Sequence, residues 1–322
     1  MNLLVTGGAG FIGSNFIRYI LNRHSDWNIV CLDLLTYAGS IENLDCVVDD
    51  FRFTFIKGDI TDYDQVSDIL ENYKIDIVVN FAAQSHVDRS IDNPGIFVQT
   101  NVLGTQVLLD LCIKHKIKRF HQVSTDEVYG DLPIDRPDLL FDENSPLAPS
   151  SPYSSSKAAA DLIVLSYHRT YGLDVTVSRC SNNYGICQHK EKLIPCVISN
   201  ALSDNPVPVF GSGLNVRDWI YVMDHCSGIE TVIESGKAGE VYNIGSNNEV
   251  SNITLIKYIL NRLNKPYSLI KYVEDRKGHD RRYGLDCSKI KRELGWLPKA
   301  DFYKTVDETI DWYAKNKYLS DM

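Results

Sequence analysis

Residues 5–13 read Val5-Thr6-Gly7-Gly8-Ala9-Gly10-Phe11-Ile12-Gly13. The strand-like run Leu3-Leu4-Val5 leads into them, and Phe11 to Arg23, with apolar residues at helical spacing, leads out. Strand, glycine turn, helix is the order of a loop that holds phosphates. Gly8, Gly10 and Gly13 fit G-x-G-x-x-G, and Gly7, Gly10 and Gly13 fit G-x-x-G-x-x-G. The early glycines permit a tight turn and close approach of backbone to a pyrophosphate. The last lets helix pack on strand, and the helix N-terminus favours the anion. Asp33 stands 20 residues past Gly13, at the end of the next strand-like run, Asn28 to Asp33. A carboxylate there suits the ribose hydroxyls of NAD and repels the 2′-phosphate of NADP. A helix or turn cap is the competing reading of Asp33, and the spacing ranks it second.

Outward from this loop the first half alternates strand and helix. Phe53 to Ile56 is strand-like, Tyr63 to Tyr73 helical, and Ile75 to Phe81 a continuous apolar run broken only by Asp76 and Asn80. A helix from Phe97 to His115 and a strand from Arg119 to Val123 follow. The stretch Asp131 to Pro152, rich in Pro, Asp and Ser, reads as a loop. A helix from Tyr153 to Tyr171 and a strand from Val175 to Arg179 come next. Continuous apolar strands separated by helices predict a parallel sheet covered on both faces. Right-handed crossovers make that a Rossmann-type doubly wound α/β fold. After Lys190 the pattern is less regular, with strands at Trp219–Val222 and Val241–Ile244 and helices at Ile253–Leu263 and Val306–Lys315. We expect a dinucleotide-binding domain over 1–185 and a smaller C-terminal α/β substrate domain over 186–322, interleaved with the first.

The chain has 322 residues and a formal charge of −9, with 44% hydrophobic and 23% charged residues, an ordinary globular composition. A net-acidic chain disfavours nucleic acid as the main partner. A small anionic ligand remains open to it, because a local pocket of Arg and helix N-termini can oppose the global sign. No run of 18 apolar residues predicts a membrane span, and the N-terminus lacks a basic secretory n-region. The expected compartment is the cytoplasm. The eight cysteines form no Cys-x-x-Cys pair, and Cys112 with His115 is better read as a shared helix face than as half a metal site. No metal is expected.

Tyr153-Ser154-Ser155-Ser156-Lys157 opens a helix, and residues four apart share a helix face. A phenol titrates near pH ~10, so acting as a base near pH ~7 needs a shift of ~3 units, or ~4 kcal/mol. Lys157 and an oxidised, positively charged nicotinamide are the cations that would supply it. Tyr-x-x-x-Lys alone usually marks two solvated side chains. With the glycine loop in the same chain, chance becomes the weaker reading. His121-Gln122-Val123-Ser124-Thr125-Asp126-Glu127-Val128-Tyr129-Gly130 closes another strand, where ligands of doubly wound sheets bind. Asp126 and Glu127 would serve as acid and base if their environments separate their pKa values. An isolated Asp-Glu is more often a polar cap.

Together these residues resemble the dTDP-glucose 4,6-dehydratases of the extended short-chain dehydrogenase/reductase family, over nearly the whole chain. The matching signatures are Thr6 to Gly13, Asp33 with Thr36-Tyr37-Ala38-Gly39, Gly58-Asp59-Ile60, and Phe81-Ala82-Ala83 leading into Ser85 to Ser90. Ser124 to Gly130, Tyr153 to Lys157, Ser181 to Gly185, Glu191 to Pro195, Asn215 to Ile220 and Gly278-His279-Asp280 complete them. Thr125-Asp126-Glu127 is the most specific sign, since related epimerases and decarboxylases usually lack the acidic pair.

The resemblance implies a cycle. Tyr153 removes the 4-hydroxyl proton of the sugar while hydride passes from carbon 4 to NAD, and Thr125 hydrogen-bonds the 4-oxygen. Glu127 takes the carbon 5 proton, Asp126 protonates the leaving 6-hydroxyl, and hydride returns to carbon 6. It also implies a cofactor site formed by Gly7, Gly10, Phe11, Ile12 and Gly13, by Asp33, Leu34, Thr36, Asp59 and Ile60, and by Phe81, Ala82, Ala83, Ser85, Thr100 and Asn183, with Tyr153 and Lys157. The sugar nucleotide would meet Ser85, Thr125, Asn182, Lys192 and Leu193, then Pro208, Phe210, Arg217, Asn252, Arg276 and His279. For Arg217 and Arg276 alone, a surface ion pair is the bland alternative. A homodimer is implied as well. The chain departs from the family at Ile186 to Lys190, where Pro and an aromatic residue are common after Gly185. It also departs at Gln84 (commonly Glu) and Phe210 (commonly Tyr). These changes leave the chemistry intact and bear on the nucleotide pocket. The alternatives are a UDP-glucose 4,6-dehydratase, another NAD-dependent sugar-nucleotide epimerase or decarboxylase, and a non-catalytic NAD-binding sensor.

Overall fold

Strand β1 (Asn2–Thr6) is fully apolar from Leu3 to Val5, and all three side chains are buried. Leu3 and Val5 pack on one face of the sheet and Leu4 on the other, as the pleat requires. The structure, a computed structural model, describes residues 1–316. After β1 come α1 (Phe11–Arg23), β2 (Asn28–Asp33), β3 (Phe53–Lys57), α2 (Tyr63–Asn72), β4 (Ile77–Asn80) and α3 (Val87–Asp92). Helix α4 (Pro94–Phe97) runs through a π-helical segment, Val98–Gly104, into α5 (Thr105–Lys114). Then follow β5 (Arg119–Thr125), α6 (Pro152–Tyr171), β6 (Val175–Cys180) and β7 (Asn182–Tyr184). The remainder is α7 (Leu193–Leu202), β8 (Val207–Phe210), β9 (Val216–Tyr221), α8 (Val222–Ser235), β10 (Glu240–Ile244), β11 (Glu249–Ser251), α9 (Asn252–Arg262), β12 (Ile270–Val273), α10 (Ser288–Leu294) and α11 (Phe302–Lys315).

Seven strands form one parallel sheet in the order β3-β2-β1-β4-β5-β6-β10. This is the Rossmann-type doubly wound fold. One face is covered by α1, α8 and α10 through Phe16, Ile20, Ile229 and Ile290, the other by α2, α5 and α6 through Ile69, Leu108, Leu111 and Val164. The winding reverses between β1 and β4, so the loops after these two strands diverge and leave a crevice.

The second layer of structure sits at the carboxyl ends of the strands. It comprises a three-stranded sheet, β11-β9-β7, and a two-stranded one, β12-β8. Helices α7, α9 and α11 cover them through Ile198, Ile256, Leu260, Val306 and Ile310. The chain passes between the layers more than once: β7 belongs to the small sheet, while α8 packs on α1 and β10 pairs with β6.

The helix Pro94–Lys114 is, by length and composition, apolar enough to cross a membrane, with mean hydropathy 1.5 over its best window. It lies instead between α2 and α6, with Leu108, Leu109, Leu111 and Cys112 fully buried in the core.

Candidate active site

The glycine loop is as tight as its sequence demands. Gly7 has φ +67°, and a Cβ there would sit 2.6 Å from the Ala82 amide nitrogen. A Cβ on Gly13 would sit 2.4 Å from the Gly7 carbonyl oxygen, so α1 closes on the loop only because that side chain is missing. Gly10 is the N-cap of α1 and brings no capping side chain. The first amides of the helix therefore stay available to an anion. Asp33 ends β2 and accepts from Ala9 N at 2.9 Å and Leu35 N at 2.8 Å. Burial raises its pKa and these two amides hold it back. Each carboxylate oxygen keeps a lone pair for a ribose hydroxyl.

The loop opens on a cavity of about 280 Å³. All the residues expected to meet the cofactor line it. They come from the loop, from the end of β2 with Leu34 and Thr36, from Asp59 and Ile60, from Phe81 to Ala83 with Ser85, and from Thr100 and Asn183. Thr125, Asp126, Glu127, Tyr153 and Lys157 close the inner end.

Ser151 caps α6 by accepting from Ser154 N at 3.1 Å, and Pro152 occupies the first turn. This start places Tyr153 and Lys157 on one face toward the sheet. Lys157 is 4% exposed, and its Nζ donates to the Val123 carbonyl at 2.7 Å. Burial lowers its pKa. Tyr153 is also buried. Its phenol lies well above the usual range, because of burial first and then the neighbouring Glu127, with the Thr125 hydroxyl acting in the opposite direction. Lys157 alone therefore does not make a phenolate here, and a further positive charge beside the ring is needed to bring Tyr153 into range.

Thr125 ends β5 and caps the 3-10 turn Asp126–Val128, with Glu127 N donating to its hydroxyl at 3.3 Å. Its hydroxyl donates to Asp126 Oδ1 at 3.2 Å, while Asp126 Oδ2 is buried without a partner. Burial, then the charges of Glu127 and Asp218, push Asp126 well above the carboxylate range. Burial raises Glu127 too, but Lys192 and Arg217 act against it, and Ser154 Oγ donates to it at 3.4 Å. The two adjacent carboxyls thus differ in degree: both are raised, Asp126 well above its usual value, while at Glu127 Lys192 and then Arg217 oppose the effect of burial.

A second cavity of about 180 Å³ continues from Glu127. Asn182 and Lys192 line both cavities, while Leu193, Pro208, Phe210, Arg217, Asn252, Arg276 and His279 line the second. The remaining substrate candidates, Ser85 and Thr125, line the first. Arg217 is 7% exposed and held by the Asp280 carbonyl at 2.9 Å and the ring of Tyr283 at 4.3 Å. Arg276 stacks on Phe210 at 4.1 Å and pairs with Asp88 at 3.1 Å.

Buried polar atoms without partners gather on these cavities: His86 Nδ1, Ser124 Oγ, Asp126 Oδ2, Asn182 Oδ1, Gln188 Oε1 and Asn252 Oδ1. Such atoms are costly unless a ligand satisfies them. With the glycine cradle and Asp33, they fit a dinucleotide in the first cavity and a polar second ligand beyond it. Among the described residues no group of three His, Cys, Asp or Glu side chains is placed to hold a metal.

Several lining residues were not anticipated. Gln188 and His189 line the first cavity from the divergent segment after Gly185, and Gln188 Nε2 donates to the Asn183 carbonyl at 3.0 Å. Trp219 and Tyr283 line the second. Trp219 lies within the Asn215–Ile220 signature and Gln188 and His189 within the divergent segment, but no chemical role singled them out, and only the folded chain shows which cavity each one lines. Gln84 is anchored by Asn101, which accepts from Gln84 N at 2.8 Å from within the π-helical segment.

The family described as GDP-mannose 4,6 dehydratase matches residues 4–309. The chain belongs to this family. A dTDP-glucose 4,6-dehydratase of Streptomyces antibioticus is 50% identical to this dehydratase-family chain, covering 98% of it and 93% of that protein. One of Haemophilus influenzae is 47% identical, covering 99% and 100%. Among solved structures, DesIV of Streptomyces venezuelae, a dTDP-glucose 4,6-dehydratase with NAD and dTDP bound, has TM-score 0.95 and 47% identity, with 98% of each chain covered. A UDP-glucose 4-epimerase of Thermotoga maritima has TM-score 0.90 at 30% identity, with 98% and 99% covered. Dehydratases and epimerases share this fold, so the fold alone does not decide the reaction.

Proposed function

We propose that this family member converts dTDP-glucose to dTDP-4-keto-6-deoxyglucose and water. The observation that carries the reading is the pair of unlike carboxyls, Asp126 and Glu127, beside Tyr153 on the first cavity, with Glu127 also lining the second. NAD, when bound in the first cavity, would supply a hydride acceptor for carbon 4 and a hydride donor for carbon 6. Lys157, held at the Val123 carbonyl, lends positive charge to the site. Tyr153 takes the 4-hydroxyl proton, and Thr125 holds the 4-oxygen. Glu127, where Lys192 and Arg217 favour the charged form against burial, takes the carbon 5 proton that the new ketone acidifies. Asp126, kept protonated by burial, gives its proton to the departing 6-hydroxyl, which leaves as water; as hydride reaches carbon 6, Glu127 gives the proton back to carbon 5, and the proton held by Tyr153 replaces the one Asp126 has lost. Arg217 and Arg276 suit the diphosphate.

The division of the chain belongs to the same proposal: residues 1–185 hold the cofactor and 186–322 the sugar nucleotide, with α8 and β10 returning to the large sheet. So do the cytoplasm as compartment and a homodimer as assembly. The dimer is supported by Val98, Leu103 and Leu162, each about half exposed on helices packed side by side.

A panel of dTDP-, UDP-, CDP- and GDP-glucose tests the reading, because the 4-keto product absorbs strongly in alkali. The highest kcat/KM is expected with dTDP-glucose. A higher value with UDP-glucose reassigns the base, and a carbon 4 epimer formed without loss of water overturns the dehydratase.

A further inference from the structure

Lys157 and Asp161 lie one turn apart on α6, continuing the face that begins with Tyr153. Asp161 is fully buried. Its Oδ2 accepts from Arg179 Nε of β6 at 2.9 Å, in an ion pair with side chains 3% and 0% exposed. Its Oδ1 is buried and has no hydrogen-bond partner. Arg179 is held from the other side by the ring of Tyr129, 4.8 Å from its guanidinium carbon. Tyr129 in turn donates to Asn243 at 2.8 Å. A buried carboxylate with one satisfied oxygen is expensive to keep, and packing alone gives no reason for a charge at this site.

We propose that Asp161 is a positioning residue for the reaction, fixed by Arg179 so that its carboxylate keeps the Lys157 ammonium charged and extended to the Val123 carbonyl. The inference rests on the reading of Tyr153 and Lys157 as the oxidation machinery. Lys157 is too buried to stay charged on solvation, and Asp161 is the strongest group acting to retain its proton, ahead of Cys180 of β6.

The surroundings leave Asp161 little competition. On α6 the neighbouring titratable group is Tyr153, neutral in the protein alone. Asp126 and Glu127, in the turn after β5, act on Tyr153 rather than on Lys157. The π-helical segment meets α6 through Asn101 and Ser156, which are uncharged. Helix α3 directs Asp88 to Arg276 and Arg89 to Glu191. On α5, Asp110 is engaged by Tyr167 and Gln106. Arg179 is turned toward Asp161 and Tyr129.

Asp161→Asn alone strands the Arg179 charge and risks misfolding, so the decisive variant is the neutral pair Asp161→Asn with Arg179→Gln. Asp161→Glu serves as the conservative control. Two readouts apply: the ε-carbon NMR titration of labelled Lys157, assigned by its loss in Lys157→Met, and the alkaline limb of the kcat/KM profile. The neutral pair is expected to lower both midpoints by about one unit or more, as losing a nearby opposite charge does, with NAD still retained. Asp161→Glu should recover most of the shift. Unchanged midpoints in a folded neutral pair overturn the proposal. Near-wild-type turnover by Lys157→Met itself overturns the underlying reading, which separates the two failures.

Discussion

Thr125 Oγ1 donates to Asp126 Oδ1 at 3.2 Å, and the other Asp126 oxygen is buried with no partner. The hydroxyl that would hold the sugar 4-oxygen thus also orients the residue that would protonate the 6-oxygen, and Glu127 N binds the same hydroxyl. Oxidation at carbon 4 precedes the work of either carboxyl. Glu127→Gln should therefore still reduce bound NAD with substrate but fail to exchange the carbon 5 proton with deuterated water. Asp126→Asn should reduce NAD and retain exchange, yet expel water slowly. Overall turnover should fall by ~10²-fold or more in each. NMR at carbon 5 and NADH absorbance read the two, and exchange by Glu127→Gln but not Asp126→Asn swaps the roles.

The raised pKa of Asp126 has a stability consequence. A carboxyl whose folded value lies above its unfolded value stabilises the protein below the unfolded pKa, and that contribution is lost as pH rises toward the folded one. Asp126→Asn keeps the neutral shape without the ionisation. Its Tm relative to the wild type should rise steadily above pH ~4. A Tm difference independent of pH between 4 and 8 would contradict the assignment of Asp126 as the protonated member.

Tyr153→Phe removes one oxygen from a buried ring and should fold, retain cofactor and lose ~10²-fold or more in turnover. Lys157→Met should raise the pH at which activity appears, since the phenol then loses a cation while Glu127 remains. Near-wild-type turnover by Tyr153→Phe excludes it as the base.

Asp33→Ala removes a carboxylate that holds the amides of Ala9 and Leu35 and lines the cavity proposed for NAD. Wild type should prefer NAD to NADP. The variant should bind NAD about tenfold or more weakly, as loss of charged hydrogen bonds implies, and discriminate less. Titration with both cofactors decides it: equal affinity in the wild type removes Asp33 from the site.

Gly13→Ala introduces a methyl 2.4 Å from the Gly7 carbonyl. Backbone cannot yield there as a flexible side chain would, so α1 must back away from the loop. The protein should purify without NAD and melt lower than the wild type. Retention of NAD at wild-type affinity would show that the loop is looser than its geometry.

The Rossmann layer was legible because its strands are buried on both faces and so read as continuous apolar runs; Phe11–Arg23 and Asn28–Asp33 fall where periodicity put them. The small strands β7, β8, β11 and β12 were not legible. They span three or four residues each, too short for a period to register. The π-helical turn at Val98–Gly104 was likewise read as plain helix, since its register is set by Asn101 bonding to Gln84 and Ser156 across the fold.

What the sequence determined by itself was local chemistry: a glycine turn that tolerates no Cβ, a carboxylate 20 residues beyond Gly13, a Tyr and Lys one turn apart, and two adjacent acids. These depend on contacts a few residues long, or on one strand and the helix after it. What only the tertiary structure supplied was a physical reason for the proton to sit on Asp126, and the buried Asp161 behind Lys157. Asp126 and Glu127 are neighbours of the same type, and they diverge because Glu127 and Asp218 act on the first while Lys192, ahead of Arg217, favours ionisation of the second. Arg179 meets Asp161 from the adjoining strand β6. Electrostatic energy depends on separation through space and on burial, and chain order encodes neither.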